Sequence, residues 1–210
     1  MSNFSYINTC KRHLSAQNTD RDVAKTIILA LGSNLMGSWG DPLHTLNQAF
    51  CKLETHNLKI IRISSIYETS PIGLPGQANY YNCVLQITTS LSAQSLLHKI
   101  KQLEKEAGRK GKTCHWSSRV LDIDIIDYKG LIQNWNINKK CRASHSSQIL
   151  TLPHAYAHNR AFVLVPLVEI CPNWIHPVLR KSATSLIKWN PSHTINKGQI
   201  LEKIEFTEGI

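Results

Sequence analysis

The apolar positions change period along the chain, and the elements follow from those changes. Residues 26–31 form a short apolar run that stops at Gly32-Ser33-Asn34, the pattern of a buried strand. After Asp41-Pro42, the residues Leu43, Leu46, Ala49, Phe50 and Leu53 recur at helical spacing, with Asp41 placed as the cap and Pro42 at the first helical position. Residues 58–67 are rich in isoleucine and read as a strand, which the stretch from Pro71 to Gly76 ends. Tyr81 to Thr88 reads as another strand. Ser92 then caps a helix with Leu96, Leu97, Ile100 and Leu103 on one stripe, ending near Gly108. Val120 to Tyr128 is a further strand. The order β-α-β-β-α-β is the split βαβ arrangement, so the expected fold is α+β with a ferredoxin-like core, an antiparallel sheet with helices packed on it. Arg160 to Ile170 and Ala183 to Trp189 add two helical stretches.

These elements predict one domain over residues 26–190, with a polar loop insertion at 129–150. Residues 1–25 read as a flexible extension and residues 191–210 as a polar tail. A chain of 210 residues buries enough surface to need no disulfide or metal staple. Its content, 42% hydrophobic and 18% charged, excludes wholesale disorder. The six cysteines form no CxxC pair and read as free thiols. No apolar run approaches the roughly 20 residues of a membrane span, and residues 1–25 hold no signal-like core, so a cytoplasmic protein is expected. Lys and Arg number 24 against 14 Asp and Glu, and the net charge of +10 favours anionic partners without choosing among them.

The segment from His115 to Ile126 carries most of the chemistry. In a strand, Asp122 and Asp124 share one face while Leu121, Ile123 and Ile125 turn to the core. Two carboxylates so close repel unless a cation neutralises them, and hard oxygen donors in that arrangement suit Mg²⁺. An isolated Asp-x-Asp is as readily a solvated strand edge, but here the charged residues of 107–121 are Arg109, Lys110, Lys112 and Arg119, with no acid among them. Cations followed by an acidic pair are what a metal–polyphosphate site requires. Gly111-Lys112-Thr113 resembles the end of a P-loop, but Glu106 stands where the first glycine is needed and the segment follows a helix. A zinc role for His154 with His158 lacks a third ligand.

His115 to Ile126 resembles the signature of the 6-hydroxymethyl-7,8-dihydropterin pyrophosphokinase family: basic, any, Gly or Ala, small or Pro, Arg, any two, Asp, aliphatic, Asp, two aliphatics. It departs only at Ser117. Further segments are similar in the family order. They are Leu31 to Leu35, Tyr67 to Gly73, Asn79 to Asn82, Glu104 with Gly108-Arg109, Leu152-Pro153-His154, and Arg160 to Leu167.

The resemblance implies transfer of pyrophosphate from ATP, as co-substrate, to the pterin hydroxymethyl group in folate biosynthesis. By that likeness Asp122 and Asp124 hold two Mg²⁺, and Arg109 and Arg119 act with them in catalysis. Glu104, His115, Trp116, Arg119, Ile125, His154 and Arg160 fall where the family meets the nucleotide. Tyr80 and Phe162 match its ring sandwich, Asn82 its pterin-edge contact, and Thr69, Ser70 and Ile72 its remaining pterin contacts. Small-molecule substrates, a monomer, and neither nucleic acid nor membrane as partner are expected. The rival from another class is a nucleic-acid-binding ferredoxin-like sheet, suggested by the charge, although Asp122 and Asp124 would repel a phosphate backbone without metal. A catalytically impaired scaffold is a second rival, prompted by Ser117 and the 129–150 insertion.

Overall fold

A computed structural model describes residues 26–55, 57–72, 76–109, 117–135, 150–189 and 198–204. The elements in chain order are β1 (Ile27–Ser33), α1 (Pro42–Thr55), β2 (Leu58–Ile63), β3 (Ile66–Thr69), β4 (Tyr80–Thr89) and α2 (Ala93–Glu106). There follow β5 (Asp122–Tyr128), a 3₁₀ turn at Ala157–Asn159, α3 (Ala161–Ile170), α4 (Ala183–Trp189) and β6 (Ile200–Ile204). The strands make one antiparallel sheet in the order β5-β1-β4-β3-β6, and β2 pairs with β4 beside β3.

Both predicted caps form. The Asp41 side chain accepts a hydrogen bond from the His44 amide at 2.9 Å, and Ser92 accepts one from the Ser95 amide at 3.1 Å. The apolar stripes of α1 and α2 are buried with Leu29, Leu31, Leu85, Ile123 and Ile125 on one face of the sheet. Gly108 ends α2 with φ of +110°, the left-handed region in which glycine carries no side-chain penalty.

The other face is covered as well. Ile28, Val84 and Ile126 pack against Val163, Leu164 and Leu167 of α3 and Leu186 of α4. Helices therefore pack on both faces of the sheet, and the face that carries α3 and α4 stays partly open at Tyr80, Asp122 and Asp124.

Two parts of the sheet differ from the sequence expectation. The run 58–67 is not one strand, because it breaks at Ser64-Ser65. The Ser64 hydroxyl accepts from the Val84 amide at 2.9 Å, taking a place in the ladder that a neighbouring main chain would otherwise fill. Glu169 of α3 then accepts from the Ser65 amide and hydroxyl and from the Tyr67 hydroxyl, at 3.1, 2.8 and 2.8 Å. Residues 200–204, expected within a polar tail, form β6 and pair with β3. In the 129–150 insertion, Gln133 and Leu152 exchange two main-chain hydrogen bonds of 2.8 and 2.9 Å just beyond it, and residues 136–149 lie outside the described part.

Candidate active site

Strand β5 begins the site. Alternation turns Ile123 and Ile125 into the core and leaves the side chains of Asp122 and Asp124 at 37% and 29% exposure on the opposite face. Each acid meets its own guanidinium group. Arg109, just past the end of α2, reaches Asp122 at 3.2 Å, and Arg160, at the entrance to α3, reaches Asp124 at 3.3 Å. His154 is held to β5 by its amide, which donates to the Ile126 carbonyl at 2.9 Å, and its Nε2 lies 3.5 Å from Asp124.

Glu104 stands behind this pair. It is 1% exposed and accepts from the Ile123 amide at 2.9 Å, from Lys101 at 2.9 Å and from Arg109. Burial raises its carboxyl pKa, with the charge of Asp122 adding to the rise, while Lys101, Arg109 and the Ile123 amide oppose it. The balance differs at Asp124. Burial there also favours the neutral acid, but His154 and Arg160, with Lys101 and Arg109 behind them, hold the carboxyl below its ordinary value. His154 itself is pushed down by burial and by Arg160 against the pull of Asp124. Arg160 carries a permanent charge beside both groups.

Arg119 is fixed through its main chain. Its amide donates to Asn34 Oδ1 at 2.7 Å, and its carbonyl accepts from the Asn34 and Leu35 amides. Beside it, the Tyr80 hydroxyl donates to the Ser117 carbonyl at 3.3 Å, and burial together with Asp122 raises the phenol pKa. On β3 and β4, Thr69 faces Tyr80 and Tyr67 faces Asn82 in register. Asn82 donates to the Thr69 hydroxyl at 2.7 Å. Gly32 lies beneath them, and a Cβ there would come within 2.8 Å of Asn82 Oδ1 and 3.9 Å of the Tyr80 ring. Ile72 and Phe162 meet near Gly198, and the Arg160 guanidinium lies 5.6 Å from the Phe162 ring centre.

The fold thus brings Glu104, Arg109, Arg119, Asp122, Asp124, His154 and Arg160 to one side of the site and Thr69, Ser70, Ile72, Tyr80, Asn82 and Phe162 to the other. The side chain of Ile125 is 4% exposed in the core behind the acids, so only its main chain faces a ligand. His115, Trp116 and Lys112 fall outside the described residues. Sequence reasoning passed over Lys101 and Asn34. Lys101 was detectable as the cation one helical turn before Glu104, whereas the hold of Asn34 on Arg119 spans 85 residues and leaves no local signal. Among the described residues no group of three His, Cys, Asp or Glu side chains is placed to hold a metal.

A carboxylate pair on a strand, each acid met by an arginine and bordered by aromatic and amide side chains, is the arrangement of an enzyme of phosphoryl-group transfer. The family model for 7,8-dihydro-6-hydroxymethylpterin-pyrophosphokinase matches residues 28–172, and the chain belongs to that family. It is a pyrophosphokinase, a transferase of folate biosynthesis.

The Aquifex aeolicus 2-amino-4-hydroxy-6-hydroxymethyldihydropteridine pyrophosphokinase is 39% identical over 170 residues, 81% of this chain and 93% of the relative. The Haemophilus influenzae protein of the same name is 35% identical over 173 residues, covering 82% and 97%. A crystal structure of wild-type Plasmodium falciparum HPPK-DHPS shares the fold with a TM-score of 0.60 at 17% identity, over 80% of this chain and 41% of that one.

Proposed function

We propose that the enzyme transfers the pyrophosphoryl group of ATP to the hydroxymethyl oxygen of 6-hydroxymethyl-7,8-dihydropterin and releases AMP. The observation that carries this reading is the adjacency of two chemistries: Asp122 and Asp124 with their arginines on one side, and Asn82, Tyr80 and Phe162 on the other. The hydroxymethyl oxygen bonds to the β-phosphorus and gives up its proton to solvent, the bond from that phosphorus to the α,β-bridging oxygen breaks, and AMP leaves with the electron pair.

The donor set at Asp122 and Asp124 fits Mg²⁺: hard oxygens, on one face, partly exposed. In this reading the two carboxylates hold two ions, which when bound neutralise the triphosphate and order its oxygens for in-line displacement. Arg109, Arg119 and Arg160, joined by His115, bind phosphate oxygens. Glu104 keeps Arg109 and Lys101 aimed at the nucleotide, and His154 borders it beside Asp124.

Tyr80 and Phe162 hold the pterin ring between them, and Asn82 reads its amide-like edge. Because one Asn82 Nδ2 proton is committed to Thr69, the amide is fixed in orientation, and Oδ1 with the second proton is left for the ligand. Thr69, Ser70 and Ile72 line the remaining wall. Positioning and charge neutralisation account for the rate, as phosphoryl transfer asks little covalent chemistry of the protein.

The test is AMP release from ATP and Mg²⁺, with and without the pterin, in wild type and Asp122→Ala. Pterin-dependent AMP that collapses in the variant is expected. AMP release indifferent to the substitution would remove the metal assignment, and a folded wild type releasing no AMP with the pterin would remove the reaction.

A further inference from the structure

The side of the recess assigned to the pterin is closed by a segment that no family motif in the sequence includes. Residues 198–200 arrive from the far end of the chain and dock on the end of β3. The Ser70 amide donates to the Gln199 carbonyl at 2.9 Å, and the Gln199 amide donates back to the Ser70 hydroxyl at 3.0 Å. Ile200 then pairs with Thr69, the partner of Asn82. Just before this clamp, Gly198 is buried with φ of +69°. A Cβ on it would lie 3.0 Å from Phe162 Cδ1 and 3.1 Å from Ile72 Cδ1. Both neighbours are only half-buried, so each has its other surface free for a ligand.

We infer that Gly198 and Gln199 are positioning residues for the pterin, acting through Phe162, Ile72 and Ser70. The bare Cα of Gly198 lets Phe162 settle to the depth that a flat ring requires, and the paired hydrogen bonds of Gln199 fix the chain entering Ile72. The contacts of Gly198 and Gln199 are with Phe162, Ile72 and Ser70, so their effect falls first on the ring side of the site and reaches the charged side only at second hand, through the Arg160 guanidinium 5.6 Å from the Phe162 ring centre. This rests on the pterin assignment made above.

Full-length Gly198→Ala and Gly198→Asn test it against wild type. The readouts are affinity for 6-hydroxymethyl-7,8-dihydropterin by ligand fluorescence, affinity for α,β-methylene-ATP with Mg²⁺ by calorimetry, and the two KM values. Both substitutions add the same Cβ, but asparagine tolerates positive φ far better than alanine. A contact effect therefore weakens the pterin in both, in asparagine at least as much as in alanine, whereas backbone strain penalises alanine the more. The expected result is a loss of pterin affinity of about ten-fold in each variant, the scale on which sub-ångström misplacement acts, with nucleotide affinity and the KM for ATP unchanged. Adding Ile72→Val to Gly198→Ala removes the Cδ1 in the way and recovers part of the loss.

Unchanged pterin affinity in both variants, beside a wild type that binds it, overturns the inference alone. Loss of both ligands in step with a lowered Tm, larger for alanine, also overturns it and leaves the segment a purely structural one. A wild type that binds the nucleotide but not the pterin overturns the assignment beneath it and this inference together.

Discussion

The two sides of the site are held together by different forces. Around β5, charged groups face each other across partly exposed space: Arg109 with Asp122 and Glu104, Arg160 and His154 with Asp124. Around β3 and β4, the recess is set by uncharged contacts: Asn82 on Thr69, Gln199 on Ser70, Gly32 under Asn82 and Gly198 under Phe162. Ion pairs in partly exposed surroundings are weak and screened, so Asp122 and Asp124 exchange their arginine partners readily when a triphosphate arrives, while Glu104 stays buried behind them. Hydrogen bonds and van der Waals contacts in a packed sheet have one geometry and resist displacement. One half is therefore built to rearrange and the other to stay preformed.

The strongest challenge to that contrast is Asp124→Asn. It should lower kcat on the order of a thousand-fold, several kcal/mol of transition-state stabilisation, and leave pterin affinity as it was. Fluorescence titration beside turnover decides the point, and a parallel fall in pterin binding would mean the halves are not separable.

The next effect belongs to neither half and calibrates both. His176 is fully buried, with Nδ1 accepting from the Val178 and Leu179 amides at 3.2 Å and its ring between Trp135 and Trp174. Burial, with His158 nearby, lowers its pKa from 6.5 to about 4. A histidine whose folded pKa is depressed stabilises the fold above the unfolded value, and that stability is lost as pH falls toward the folded one. Between 6.5 and about 4 the loss should approach the order of 3 kcal/mol. Denaturant midpoints across this range should decline in wild type and much less in His176→Phe.

Gly32→Ala attacks the preformed half directly, since the added Cβ meets Asn82 Oδ1. Its KM for the pterin should rise about ten- to a hundred-fold while nucleotide-analogue affinity holds, and steady-state kinetics with each substrate varied would show an equal rise in both KM values if the contrast is false.

The smallest effect sits on the border. The Ser117 hydroxyl is buried without a hydrogen-bond partner among the described residues. Ser117→Ala should raise stability by about 1 kcal/mol, and an unmoved denaturant midpoint would show that the hydroxyl finds a partner in solution.

The charged half was the more legible of the two in the sequence. Asp122 and Asp124 alternate within a strand, and Arg109, Arg119 and Glu104 lie within 20 positions of them. Helices α1 and α2 too could be read locally, because each carries its own cap and apolar stripe. What escaped was everything set by distant partners. Nothing within residues 58–67 discloses the break at Ser64-Ser65, which depends on Val84 and Glu169. The five residues of β6 have half-buried or exposed side chains, and of them Ile204 packs against the core. They become a strand only because β3 offers them an edge some 130 positions earlier in the chain. The placement of Gly198 against Phe162 follows from that same pairing and was unreadable for the same reason.

Strand β4 is bonded along both edges, to β1 on one side and to β2 and β3 in turn on the other. Amide protons in such a strand have no local opening through which to reach water, so they exchange with deuterium only when the whole domain unfolds. The amides of Cys83 and Leu85 should therefore be among the slowest in the molecule, and their rates report its global stability without denaturant. Tyr80 and Asn82 stand at the start of that strand. The ring-binding floor is thus part of the last unit to come apart, which ties its survival to that of the fold itself.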